Sequence, residues 1–317
     1  MTTPVRVAGF VLGLLVVFLA ARGVGAVAAP EPAPPAPMRH DGMAEPGHDE
    51  ETEGPAEHGD HEEPAEPASD GPGGLAVADQ GYTLRLVSAP QPGRNRPLRF
   101  VIDGPDGTPV TSYDEVHDQP LHLVKIRRDG ADYQHVHPSL AADGTWTARL
   151  SISPGTSRVF ADFTPTDGPA LVLGTDVQLD GDYAASPPPE LTRTAHVDGY
   201  RVTLDGELAG GESSLLTARI TRAGEPVTDL QPYLGAFGHL VALREGDLAY
   251  LHVHPEEAGA GPEIPFVAEV PSDGRYRLFL EFRHRGAVHT ARFTVAAGDT
   301  QVVGRGGSHE EGEGHDH

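Results

Sequence analysis

The 317-residue sequence contains no cysteine. This absence excludes disulfides, iron–sulfur clusters, thiolate zinc sites, cysteine nucleophiles and blue-copper centres, all of which need a cysteine sulfur. Methionine is scarce as well, since only Met38 and Met43 follow the N-terminal apolar segment. A site that selects Cu(I) through soft sulfur ligands is therefore not expected. No G-x-S-x-G motif supplies a serine nucleophile, and we expect a binding protein rather than an enzyme.

Basic residues are also few. The chain carries 23 Lys and Arg against 47 Asp and Glu, which gives a formal net charge of −24. An acidic surface repels the phosphate backbone, so nucleic acid is not an expected partner. Histidine is abundant by contrast, with 17 residues. Because imidazole is a common ligand of transition metals, a metal ion is the partner to test against the placement of these histidines.

The first 30 residues have the composition of a targeting segment. Arg6 precedes an uncharged run of 15 residues, 7–21, and small residues at 26–28 form a cleavage site typical of a secretory signal. The alternative is a retained membrane anchor through residues 7–29, which would contain Arg22. Both alternatives place the rest of the chain outside the cytoplasm.

Two further segments, 31–74 and 298–317, are rich in acidic residues, Gly and His. They contain too little apolar surface to fold, so we predict a disordered stalk and a disordered C-terminal tail. Imidazoles beside carboxylates are typical of segments that bind divalent cations weakly. The alternative is that these acidic tails only aid solubility. The tails contain seven histidines: His40, His48, His58, His61, His309, His315 and His317.

The region between the tails is a tandem repeat. Residues 109–138 align with residues 226–255 without a gap at an offset of 117, and 12 of the 30 positions are identical. We therefore predict one domain at 75–180, a proline-rich linker at 181–193 and a second domain at 194–297. Each repeat shows about seven short runs of alternating apolar and polar residues separated by turn sequences. This pattern predicts an all-β protein of two immunoglobulin-like sandwiches.

One hairpin in each repeat concentrates the histidines. A tight turn at Asp129–Gly130 predicts that His122 lies opposite His137 and that Val124 lies opposite His135, so the three imidazoles share one face. The second repeat reproduces this spacing around Gly246–Asp247. The sequence thus predicts one three-histidine metal site per repeat, formed by His122, His135 and His137 and by His239, His252 and His254. The alternative is that these histidines fill the end of each sandwich beside apolar neighbours.

Asp162 and Glu281 occupy matching places in a later strand of each repeat. Either carboxylate could be a fourth ligand or could accept a hydrogen bond from a ligand imidazole. The alternative is an ion pair with a nearby arginine on the outer face. Four other histidines lack this repeated context and are expected to be ordinary surface or core residues: His117, His196, His284 and His289.

Three imidazoles with an optional carboxylate suit Cu(II) or Zn(II), and the Irving–Williams order favours copper over zinc. The segments 233–241 and 251–255 resemble the small secreted β-sandwich domains of bacterial copper handling, which are CopC-like and YtkA-like with a cupredoxin-like fold. They also resemble secreted or membrane-anchored proteins of actinobacterial type. The resemblance implies extracytoplasmic copper capture, tolerance or delivery, together with a metal-handling partner protein. CopC-like domains use an N-terminal histidine ligand that this chain lacks. A tandem immunoglobulin-like adhesion or scaffold protein is the alternative function.

Overall fold

The computed structural model describes residues 72–88, 90–251 and 253–298. Within these ranges the secondary-structure elements are all β-strands. None of the described residues forms a helix that could span a membrane. The predicted signal or anchor, the stalk up to residue 71, the C-terminal tail beyond residue 298 and His252 lie outside the described residues.

The first repeat is a sandwich of two antiparallel sheets. One sheet has the strand order β1-β2-β3-β8-β7, and the other has the order β10-β9-β5-β6 with β4 paired to β9. Its strands are β1 (Ala78–Asp79), β2 (Tyr82–Leu86), β3 (Gly93–Asp103), β4 (Tyr113–Asp114), β5 (His122–Arg127), β6 (Gln134–Val136), β7 (Ser139–Leu140), β8 (Trp146–Ile152), β9 (Gly155–Pro165) and β10 (Leu171–Leu179).

The second repeat forms an equivalent sandwich. One sheet has the order β11-β12-β13-β18-β17 with β14 paired to β13, and the other has the order β16-β15-β19-β20. Its strands are β11 (Thr194–Val197), β12 (Tyr200–Asp205), β13 (Glu212–Arg222), β14 (Glu225–Pro226), β15 (His239–Arg244), β16 (Tyr250–Leu251), β17 (Val253–Pro255), β18 (Glu263–Val270), β19 (Gly274–His284) and β20 (Ala287–Ala297). The predicted all-β, tandem immunoglobulin-like architecture is confirmed.

Each sandwich buries its own core between its two sheets. Because side chains alternate along a strand, Leu123 and Ala161 point into the core of the first repeat, where Trp146 is fully buried. Their neighbours Val124 and Phe160 point to the opposite face of the same sheet and are buried as well. The sheet β10-β9-β5-β6 is therefore covered on both faces.

The second covering layer is the equivalent sheet of the other repeat. Val124 and Phe160 share an apolar cluster with Val241 and Phe279, which lie on the outer face of β15 and β19. Burial of each such side chain contributes about 1.5–3 kcal/mol relative to exposure. The two sandwiches therefore dock through the faces that carry the predicted histidine hairpins.

The docking contacts have approximate two-fold symmetry, because equivalent residues of the two repeats make equivalent contacts across the interface. Tyr133 of the first repeat stacks on Phe279 of the second with ring centroids 3.8 Å apart. The equivalent pair with the repeats exchanged, Phe160 and Tyr250, also meets, with centroids 5.6 Å apart. Each repeat thus places its hairpin tyrosine against the other repeat's central phenylalanine. Such aromatic pairs contribute about 0.5–1.5 kcal/mol beyond area burial.

Candidate metal centre

The hairpin of the first repeat has the predicted register. Leu123 pairs with Val136 and Val124 pairs with His135 across β5 and β6. The Gly130 N–H donates to the Arg127 carbonyl at 2.7 Å, and Gly130 adopts φ +78°, a left-handed conformation that favours glycine. This tight turn keeps the two strands aligned, and the strand alternation directs the histidines to the outer face of the sheet.

The three histidines of this hairpin converge. One ring nitrogen from each of His122, His135 and His137 lies within 4.8 Å of the others. Ring centroids are 5.3 Å apart for His122 and His135, 5.1 Å for His122 and His137, and 4.9 Å for His135 and His137. Imidazole nitrogens bind Zn(II) at about 2.0–2.1 Å, so small side-chain rotations suffice to direct all three at one ion.

A chain of hydrogen bonds orients these rings. His122 Nε2 donates to the Val116 carbonyl at 2.9 Å, because a carbonyl can only accept. In a neutral His122, Nδ1 is then an acceptor and takes a hydrogen bond from His135 Nε2 at 3.1 Å. His135 Nδ1 lies 2.9 Å from Glu281 Oε2. A metal ion bound by His122 Nδ1 and His135 Nε2 would replace the contact between these two rings, while Glu281 keeps its contact with His135 Nδ1.

Glu281 belongs to the second repeat, so the site crosses the docking interface. Its carboxylate also accepts a hydrogen bond from the Tyr233 hydroxyl at 3.2 Å. The predicted role of Glu281 as an acceptor for a ligand imidazole matches this geometry, but the imidazole is His135 of the other repeat. Asp162 is paired with His122 across β5 and β9, yet it is not part of the converging group of nitrogens. Asp162 instead contributes, after burial, to raising the pKa of Tyr250.

His239 lies with the histidines of the first repeat. Its ring is 5.3 Å from that of His122 with planes 9° apart, and 4.9 Å from that of His135 with planes 17° apart. His122 and His239 are equivalent residues, and they face each other across the interface. Strand register sets this position, because His239 pairs with Glu281 between β15 and β19.

Of the predicted second triad, the structure describes His239 and His254. His254 lies in β17, which pairs with β18 in the sheet opposite to that of His239, and His252 is outside the described residues. In the first repeat the Gln134 side chain makes two hydrogen bonds of 2.7 Å to the Ser151 backbone. Leu251 stands at the equivalent position and has no such groups, and the backbone of β17 pairs with β18 instead. Because His252 is not described, the equivalent site expected in the second repeat stays a prediction.

His117 is the residue that sequence reasoning missed. Its ring centroid is 6.1 Å from that of His122 and 5.6 Å from that of His239. It has no counterpart in the second repeat, so repetition could not reveal it. Its position five residues before His122, within the connection to β5, was the available signal. The other three histidines expected to be ordinary lie elsewhere: His196 is exposed, His284 bonds Tyr200 and Asp229, and His289 bonds Asp198.

Burial keeps His122, His137 and His239 uncharged. Desolvation lowers the pKa of His122 to about 3 and that of His137 to about 4, with smaller contributions from neighbouring histidines. Desolvation also holds the pKa of His239 well below its usual value. These rings are neutral at physiological pH, and a neutral imidazole is the form that binds a metal ion.

Two nitrogens of the cluster have no protein partner among the described residues. His137 Nε2 and His239 Nε2 are both buried without a hydrogen bond. Most buried polar atoms in proteins are hydrogen-bonded, so such atoms call for a ligand or water. The chemistry of the donor set therefore fits a transition-metal ion, with imidazoles as ligands and one carboxylate behind them.

No curated protein sequence matches this chain. Among solved structures, the chain is similar to the Escherichia coli adhesin FdeC, with 15% identity over 70% of this chain and 66% of that one and a TM-score of 0.22. It is also similar to the Yersinia pseudotuberculosis adhesin InvE, with 11% identity over 70% and 60% and a TM-score of 0.20. MtrC from Shewanella baltica OS185 gives 10% identity over 69% of each chain and a TM-score of 0.24.

The chain thus spans less than two thirds of the length of the FdeC and InvE structures. At these TM-scores the fold assignment rests on the strand order and register described above. A family comparison is more extensive. The family described as "Domain of unknown function (DUF8832)" matches residues 76–184 and again residues 195–299, which together make up more than half of the chain. The protein therefore belongs to the DUF8832 family and carries two copies of its domain.

Proposed function

We propose that this protein binds a transition-metal ion outside the cytoplasm, for capture, tolerance or delivery. The observation that carries the proposal is the convergence of His122, His135 and His137 within 4.8 Å on one face of a hairpin. The low pKa values of His122 and His137 support it, because protons compete weakly for these nitrogens. Packing alone rarely requires three adjacent buried imidazoles.

Copper is the first choice and zinc the second. The ligands are imidazoles with one nearby carboxylate, a set that suits Cu(II) and Zn(II), and the Irving–Williams order favours copper. Calcium and magnesium prefer shells of oxygen ligands. Cu(I) is disfavoured because the chain has no cysteine and only three methionines.

Binding without turnover is the expected activity. Glu281, the carboxylate that contacts His135, also accepts a hydrogen bond from Tyr233. It is therefore poorly placed to act as a general base on a metal-bound water. His135 and His137 are partly exposed residues, whereas His122 is buried. An extracytoplasmic location follows from the signal or anchor predicted at residues 1–30, and a metal-handling partner protein would deliver or accept the ion.

The test is a metal titration of the untagged full chain. Cu(II) binding in competition with a chelator and Zn(II) calorimetry would compare the wild type, the double variant His135→Ala/His137→Ala and the control His196→Ala. His196 is exposed and lies on β11, away from the cluster. We expect the double variant to lose one tight ion per chain and the control to lose none. Equal stoichiometry and affinity in all three proteins would end the proposal, and any tail binding would be common to all three.

A tandem immunoglobulin-like adhesion or scaffold protein is the second candidate. The observation in its favour is that the two repeats share a buried apolar cluster and that His135 contacts both His122 and Glu281. In that case the histidines are structural. The double variant would then lower the melting temperature in the absence of metal, and a chelator would leave the melting temperature of the wild type unchanged.

A further inference from the structure

His239 is placed to act with the triad rather than in a site of its own. Its ring lies at the interface between the repeats, opposite its equivalent His122. The side chain belongs to β15 of the second repeat, whereas all three members of the triad belong to the first repeat. Any ion bound by the triad and His239 would therefore be held by both domains.

The spacing of the rings fits four imidazoles on one ion. With metal–nitrogen distances of about 2.0–2.1 Å and tetrahedral angles, two imidazole centroids lie about 5 Å apart. Five of the six centroid distances among His122, His135, His137 and His239 fall between 4.9 and 5.3 Å. His239 is not in the group of nitrogens that lie within 4.8 Å of one another, so its ring has to rotate toward the triad to bind the same ion. His117, at 5.6 and 6.1 Å from two of these rings, lies slightly outside this set.

His239 also lacks the protein contact that a structural histidine would have. It is 8% exposed, and its Nε2 is buried with no hydrogen-bond partner among the described residues. His284 shows the alternative within the same repeat. That histidine is 2% exposed, and its two ring nitrogens bond Tyr200 and Asp229 at 2.6 and 2.9 Å. A buried nitrogen without a partner beside three ligand imidazoles indicates a fourth ligand.

We propose that the two repeats share one metal centre, in which His239 of the second repeat completes the coordination by His122, His135 and His137 of the first. The proposal rests on the proposed function and deepens it. In a tetrahedral centre four protein ligands leave no open position, the coordination of structural rather than catalytic Zn(II) sites. Cu(II) prefers a tetragonal arrangement, so the ring spacing itself favours Zn(II). The ion is then held by both sandwiches, and its release would require His239 to separate from the triad.

Glu281 acts in this centre as a positioning residue. Its carboxylate takes the hydrogen bond of His135 Nδ1, which leaves Nε2 of the same ring to bind the ion. Because Glu281 also comes from the second repeat, that repeat supplies both a ligand and the group that orients another ligand. The metal centre is therefore incomplete in a single repeat.

The experiment compares the wild type with His239→Ala, His239→Gln and the control His196→Ala, all as untagged full chains. Cu(II) electron paramagnetic resonance counts bound nitrogens through superhyperfine splitting, and competition with a chelator gives the affinity. In the wild type we expect four nitrogens at the tight site. The His239 variants should show three, with a loss of affinity larger than the about 10–100-fold typical of removing an outer-shell partner. Melting without metal checks that each variant is folded, and His239→Gln serves if His239→Ala does not fold.

The outcomes separate the two proposals. If the His239 variants keep wild-type affinity and nitrogen count while His135→Ala/His137→Ala loses the ion, the shared centre is wrong and the triad site stands. If the wild type binds no tight ion, both proposals fail. The shared centre is supported if the wild type binds Cu(II) through four nitrogens and the His239 variants bind it through three, with the predicted fall in affinity.

Discussion

The two histidine hairpins share a sequence pattern but differ in structure. In the first repeat β6 stays paired with β5, and His122, His135 and His137 converge. In the second repeat β16 pairs with β15, but the next strand, β17, pairs with β18 of the opposite sheet and contains His254. His239 meanwhile joins the cluster of the first repeat. A repeated histidine pattern thus gives three converging imidazoles in the first repeat, whereas His239 and His254 of the second repeat lie in different sheets.

The difference shows that the residues around a motif decide its geometry. Gln134 bonds the Ser151 backbone from within β6, whereas Leu251 at the equivalent position is buried in the core of its own repeat. Glu281 is one methylene longer than its equivalent Asp162 and contacts His135 across the interface.

The largest expected effect is a difference in Cu(II) affinity between variants of the third histidine of each hairpin, His137 and His254. His137→Ala removes a ligand, and we expect the tight Cu(II) site to be lost or weakened by more than about 100-fold, beyond the effect of losing an outer-shell partner. His254→Ala removes the equivalent residue from the opposite sheet, and we expect wild-type affinity. Chelator competition measures both variants. Equal losses in the two variants would mean that the hairpins are equivalent after all.

The aromatic contacts test the approximate two-fold symmetry of the docking contacts. Phe279→Ala removes the ring that stacks on Tyr133 at 3.8 Å, and Phe160→Ala removes its equivalent beside Tyr250 at 5.6 Å. Truncation of a buried Phe typically costs about 3–5 kcal/mol, so we expect both variants to lower the free energy of unfolding by this amount. Urea unfolding of the metal-free proteins measures it. A loss below about 1 kcal/mol in either variant would contradict the buried interface.

The matching carboxylates offer a third comparison. Glu281→Ala frees His135 from its acceptor, and we expect metal affinity to fall about 10–100-fold. Glu281→Gln keeps an oxygen acceptor and should restore most of the affinity. Asp162→Ala removes the equivalent carboxylate, which does not belong to the converging group, and should change the affinity little. A larger effect from Asp162 than from Glu281 would place the site on the other side of the interface.

The pH dependence of the free energy of unfolding tests the buried histidines of the interface separately from its apolar contacts, which do not titrate. The pKa of His122 is about 3 in the folded chain and about 6.5 when unfolded. Since the unfolded chain binds this proton first, stability is full above pH 6.5 and falls as the pH drops toward 3. The slope is about 1.4 kcal/mol per pH unit for such a group. Urea unfolding with a chelator at pH 7, 6 and 5 tests this, and His122→Ala should show a shallower slope. Constant stability between pH 7 and 5 would contradict the burial of a neutral cluster.

Much of the fold follows from the sequence, because strand alternation and turn residues act locally. The predicted pairing of Val124 with His135 is found. The turn itself differs from the prediction, because the Gly130 N–H bonds the Arg127 carbonyl and places Arg128 and Asp129, rather than Asp129 and Gly130, at its centre. The docking of the repeats was not predicted, although Leu123 and Val124 are adjacent, both apolar and both buried on opposite faces of one strand. A strand that is apolar on both faces indicates that both faces are covered. Which surface covers it depends on contacts distant in sequence, so His239 and Glu281 were assigned to a separate site.

The most direct test of the shared centre is a crystal structure of the full chain with Cu(II), using anomalous scattering at the copper edge to locate the ion. We predict one strong peak at the interface of the repeats, within about 2.0–2.3 Å of a nitrogen of His122, His135, His137 and His239. A peak bound by the first repeat alone, with His239 turned away, or the absence of any peak between the repeats would contradict the account.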